Sequence, residues 1–164
     1  MIFYRIRYPT LKNPMPEHIK DIDSTIINSF RRIEVPLARI AIFIVYFWFG
    51  LLKIFGVSSA GPLVHELFQY IMPAFIPFPL FYGIFALYEV AIGILFLIRG
   101  CERPAILLLA IHLVTTAMPL VLLPATIWHA PFVPTLEGQY IIKNVLIAAA
   151  AVVIGANLVT KKTF

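Results

Sequence analysis

Four ionisable side chains stand inside long apolar runs: Lys53, Glu89, His112 and Lys143. A charge at bilayer depth costs upward of ~2.5 kcal/mol, so each is treated first as a functional residue. A carboxylate beside an imidazole can relay protons, and an ammonium donates to a carbonyl or anionic oxygen. Helical spacing gives each group a face. Tyr82, Ala86, Glu89 and Gly93 follow i, i+4, i+7, i+11, a stripe of small and polar residues of the kind that marks helix contact in membranes. Arg39, Phe43, Tyr46, Gly50 and Lys53 form a comparable stripe. Leu108, His112, Thr115, Thr116 and Pro119 cluster on one side of a third helix, with a kink expected at Pro119. Ala148, Ala151 and Gly155 give a packing seam on a fourth, with Lys143 and Asn144 at its outer end.

The resulting expectation is one polar pocket in the outer half of a helix bundle, to which Arg39, Tyr46, Tyr82 and Asn144 also contribute. Glu89 forms its floor, His112 lies beside it, Lys53 and Lys143 stand above, and Glu137 and Gln139 sit at the mouth. The alternative is that these groups pair with one another and only fix helix register. Lys53 alone could also snorkel outward. Haem is disfavoured, since His18, His65 and His129 lie outside the spans and leave His112 without a second axial ligand. The single cysteine, Cys101, excludes an internal disulfide, a CxxC pair and quinone-coupled thiol–disulfide chemistry. Beside Arg99 and Arg103 it reads as an inert surface thiol.

The elements that must position these groups follow from composition. Of 164 residues, 61% are hydrophobic and 13% charged, and mean hydropathy is +0.93. Too few polar side chains remain to cover a soluble globule, and disorder requires the opposite balance. Four stretches reach the ~20 apolar residues that a spanning helix needs: 36–56, 79–98, 104–123 and 140–159. They lack the alternating polarity of a barrel. The expected fold class is therefore all-α: an integral membrane four-helix bundle with short interfacial helices. Residues 1–35 form a basic N-terminal segment, 36–159 the membrane domain and 160–164 a tail. In the first segment Asp23 or Ser24 is expected to cap a short surface helix through Arg32, after a turn at 12–18. No apolar h-region precedes the first span, so that span is expected to serve as an uncleaved anchor.

Lysine and arginine set the orientation. Arg5, Arg7, Lys12, Lys20, Arg31 and Arg32 precede the first span, Arg99 and Arg103 flank the second connection, and Lys161 and Lys162 follow the fourth span. The connections 57–78 and 124–139 carry none, which puts both termini in the cytoplasm. The net charge of +5 thus reflects topology and anionic lipid, and nucleic acid is not an expected partner. Ser58 or Ser59 is expected to cap an interfacial helix running to Met72, with Leu63, Leu67, Phe68 and Ile71 on one face. The second outer connection, 124–139, is rich in proline and aromatics, with Trp128 and Phe132 at headgroup depth. Both connections read as a lid or as a hydrophobic gate.

Three segments together resemble a known family. RIAIFIVYFWFGLLKIFG (39–56), LYEVAIGILFLI (87–98) and LEGQYIIKNVLIAAAAVVIGA (136–156) resemble the first, second and fourth spans of the DoxX-like membrane protein superfamily. The branch it most resembles is the YkgB-like, reactive-chlorine-resistance type. Arg39, Lys53, Glu89 and Lys143 carry the likeness; Ser58-Ser59 stands where that branch often has an acidic residue. The resemblance implies a bacterial inner-membrane bundle, in some relatives a quinone-linked redox subunit or a factor in oxidative-stress resistance. It points to a quinone or similar lipid-soluble ligand and a redox partner protein. Two other readings stay open: a small homo-oligomeric proton-coupled transporter or channel, and a structural membrane subunit without a ligand.

Overall fold

A computed structural model of the chain describes residues 17–72 and 75–158. In chain order the elements are α1 (Glu17–Ile54), α2 (Gly61–Ile71), α3 (Phe78–Leu97), α4 (Glu102–Ala117), α5 (Pro119–Leu122), α6 (Pro124–Ile127), β1 (Trp128–Ala130), β2 (Val133–Pro134) and α7 (Leu136–Ala156). Four helical segments are long and apolar enough to cross a membrane: Ile19–Ile54, Phe78–Leu97, Glu102–Leu122 and Leu136–Ala156. The chain divides into two units, Met1–Ile33 and Glu34–Phe164.

The described part of the first unit is helical from Glu17 onward. Ser24 is therefore interior and caps nothing, contrary to the expectation from sequence. Its hydroxyl donates to the Asp21 carbonyl at 2.9 Å, and Thr25 and Ser29 bond back one turn at 2.8 Å each. Such back-bonding satisfies a mid-helix hydroxyl without ending the helix. Pro36 also lies within α1, at the cost of one backbone hydrogen bond. The expected turn at 12–18 lies outside the described residues apart from Glu17 and His18, which open α1. Arg5, Arg7, Lys161 and Lys162 fall outside them too.

In the second unit, α1, α3, α4 and α7 share one core. Ile42 and Tyr46 of α1, Ile92 and Phe96 of α3, Ala105 and Leu109 of α4, and Ala151 and Ile154 of α7 are its buried residues. The helices pack closely at this core. Gly93 shows how close: a Cβ there would stand 2.9 Å from the Phe47 backbone nitrogen. The outward faces carry Trp48, Leu80, Val114 and Val152, each more than half exposed. A contiguous apolar exterior of this kind is normal against lipid and rare in water.

The connections differ from expectation in detail. Helix α2 begins at Gly61, with Ala60 at its N-cap and Pro62 in its first turn. Ser58 accepts from the Ala60 N–H at 3.3 Å and does not cap the helix. At Pro119 the helix is interrupted for one residue, since α4 ends at Ala117 and α5 starts at Pro119, while Met118 between them keeps helical dihedrals at φ −54° and ψ −39°. The connection 124–139 holds a short antiparallel hairpin, β1–β2, with Phe132 in the left-handed region at φ 63°. Thr135 then caps α7 by accepting from the Gly138 N–H at 3.2 Å, which starts that helix at Leu136 rather than at Tyr140.

Candidate functional site

Lys53 sits in the last turn of α1. Gly56, at φ 70°, closes that helix: its N–H reaches the Lys53 carbonyl at 3.1 Å and the Val57 N–H reaches Leu52 at 3.0 Å. This is a Schellman turn, and glycine supplies the backbone conformation it requires. The turn holds Lys53 at the helix end while its side chain points inward. Lys53 Nζ donates to Glu89 Oε2 at 2.6 Å. The other carboxylate oxygen, Oε1, is 3.0 Å from His112 Nε2. His112 Nδ1 is 3.1 Å from the Tyr46 hydroxyl. All four side chains are buried, and among the described residues every buried side-chain polar atom has a partner.

With Glu89 taken as a carboxylate and His112 as a neutral ring, the order of donation follows. A carboxylate only accepts, so His112 carries its hydrogen on Nε2 and accepts at Nδ1 from the Tyr46 hydroxyl. The order of donation is then Tyr46 to His112 to Glu89, with Lys53 donating from the opposite side. In that arrangement, with Lys53 as an ammonium, the set carries no net charge. Such closure is what makes a buried polar network tolerable.

Aromatic rings and threonines fix the imidazole. Phe85 stacks on it at 5.1 Å and Tyr46 meets it edge-on at 5.0 Å. Lys53 Nζ lies 5.7 Å from the Phe85 ring centre. Tyr88 lies 5.9 Å from the imidazole, but its hydroxyl is spent on the Leu108 carbonyl at 2.7 Å. Thr115 and Thr116 donate to the His112 carbonyl at 2.8 and 3.0 Å. Both imidazole nitrogens are engaged within this set.

A groove of about 470 Å³ opens beside Lys53, between α1 and α3. Tyr82 and the apolar Ile54, Leu80, Ile84 and Leu87 line it with Lys53. It is open-sided, since Ile54, Leu80, Ile84 and Leu87 in its lining are exposed on the outer face of the bundle.

The structure brings Tyr46, Lys53, Glu89 and His112 together and places Tyr82 at the groove. Five other residues expected in the pocket stand elsewhere. Arg39 donates from Nε to the Phe96 carbonyl and from Nη1 to Glu102 Oε1, each at 2.6 Å, and Glu102 Oε2 accepts from the Gly100 N–H at 2.8 Å. Arg39 therefore clamps the α3–α4 turn, about 10 Å along α1 from Tyr46. Lys143 is exposed, with Nζ 5.2 Å from the Tyr140 ring centre. It follows buried Gly138 by five residues and so lies about 140° round the helix from it. Glu137 and Gln139 are exposed and Asn144 half-buried, and none of the three joins the hydrogen-bonded set. The set thus draws on three helices, not four.

Sequence reasoning missed Phe85, although it stands one turn before Glu89 on the same face. It also missed Glu66, whose carboxylate accepts from Thr126 at 2.8 Å and ties α2 to α6. Compared with family models, with curated proteins and with solved structures, the chain gives no match.

Proposed function

We propose that this chain is a multi-pass membrane protein that binds a lipid-soluble, oxygen-bearing molecule at the Lys53 groove. On the DoxX-like resemblance, the membrane is the bacterial inner membrane, both termini are cytoplasmic, and the ligand is of quinone type. The observation that carries this reading is the double engagement of Lys53. Its ammonium is anchored to buried Glu89 and also lines the groove. Two of its three donors remain for a carbonyl oxygen, the Tyr82 ring borders the head of the ligand, and Ile84 and Leu87 suit an apolar tail. A quinone supplies redox chemistry when bound, with electrons coming from a partner protein. The chain's own contribution is to orient the carbonyl, exclude water and hold a proton at Glu89 or His112.

The test is purification with native lipid, extraction, and quantification of quinone per chain by mass spectrometry. The reading expects near-stoichiometric quinone in the wild type and at least a tenfold loss in Lys53→Ala. Quinone-free protein that also shows no saturable binding of a short-chain quinone would overturn it. A structural reading is favoured by the satisfaction of every buried side-chain polar atom among the described residues. It expects the double variant Lys53→Leu, Glu89→Leu to keep both stability and any cellular activity.

A further inference from the structure

The buried polar side chains lie in layers along the bundle. The Lys53 groove opens at the end where α1 finishes and α3 begins. Below it come Glu89, His112 and Tyr46 in hydrogen-bond sequence. At the far end Arg39 and Glu102 close the α3–α4 turn. Between Tyr46 and Arg39 the core holds Ile42, Ile92, Phe96, Leu109 and Ile154, all nearly or wholly inaccessible. The sequence offers nothing else at that depth: residues 40–45, 90–98, 104–111 and 145–156 are apolar or glycine throughout. Tyr88 is the nearest additional hydroxyl, and it is committed to the Leu108 carbonyl.

A proton moves between groups in hydrogen-bond reach or through one intervening water. Tyr46 stands seven positions after Arg39 on α1, about 10 Å of apolar packing away. From this layering we infer that the Lys53–Glu89–His112–Tyr46 chain is a blind proton pocket. It exchanges protons with the groove side alone and ends at Tyr46 against an apolar plug. One proton enters past Lys53, resides on the coupled Glu89–His112 pair and leaves by the way it came, so the site's charge changes by one and no charge crosses the bilayer. This deepens the ligand-binding reading by giving the side from which its proton is drawn, and it sets the chain apart from a proton-coupled carrier.

Two measurements on the full-length protein test it, and neither depends on a ligand, so a failure to find quinone leaves them intact. In the first, proteoliposomes with an internal pH dye and a clamped membrane potential receive an external acid step. The inference expects proton entry equal to that of protein-free liposomes. Entry severalfold faster that is lost in Glu89→Gln would overturn it, because a through-path would then exist. In the second, nitrogen-15 NMR follows the His112 ring in lipid nanodiscs between about pH 4 and 10, a range that brackets ordinary carboxylate and imidazole titration. The inference expects a reversible shift that Glu89→Gln alters. A ring whose signals stay fixed across that range, in the wild type and in Glu89→Gln alike, would overturn it, because the pocket would then be sealed from both sides.

Discussion

Removing one charge of the buried pair should cost far more than removing both. Lys53 and Glu89 are in contact at 2.6 Å, with side chains 5% and 7% exposed. In Lys53→Met the Glu89 carboxylate keeps only His112 as a partner, and an uncompensated buried charge costs about 3–5 kcal/mol. In the double variant Lys53→Met, Glu89→Gln the carboxamide oxygen still accepts from His112 Nε2–H while the charge is gone. What remains is an amide nitrogen without its partner, about 1–3 kcal/mol. The double variant should therefore be more stable than the Lys53→Met single by roughly 1–3 kcal/mol. Unfolding in detergent micelles followed by circular dichroism, with all four corners of the cycle, measures this. Single effects that sum to the double within about 0.5 kcal/mol would refute the reasoning, because uncoupled groups behave that way.

Gly93→Ala should destabilise by about 1–3 kcal/mol, since its Cβ would press on the Phe47 backbone, which cannot swing aside. Gly83→Ala meets nothing within 4 Å and should be neutral or stabilising by up to ~1 kcal/mol, which makes it the matched control in thermal unfolding. Thr135→Ala should cost about 0.5–2 kcal/mol by uncapping α7, with Thr135→Ser recovering most of the loss; hydrogen exchange at Gly138 reports it directly. Phe132→Gly should stabilise the hairpin by about 1 kcal/mol, because Phe132 is 94% exposed and sits at a positive φ that glycine adopts freely.

The long helices were legible because twenty apolar residues leave little choice in lipid, and Pro36 was overread as a boundary. It forgoes one hydrogen bond, which a helix as long as α1 absorbs. The inward direction of Lys53 and Glu89 was legible from the small residues that share their stripes, since Gly50 and Gly93 force close approach. Lys143 was misplaced because helical spacing gives a face without saying which neighbour it meets. Arg39 was misplaced for a different reason. Its partners are Glu102, at the N-terminus of another helix, and a backbone carbonyl, and a carbonyl leaves no mark in a sequence. The hairpin and the Thr135 cap escaped notice because strands of three and two residues have no period to read.

The account rests on a lysine and a glutamate from different helices meeting inside the bundle. Solid-state NMR of the protein in lipid, with nitrogen-15 at Lys53 Nζ and carbon-13 at Glu89 Cδ, measures that meeting. The account predicts a separation of roughly 3–4 Å, as a charge-assisted hydrogen bond requires. A separation beyond about 6 Å would contradict it, because a direct bond could not then exist.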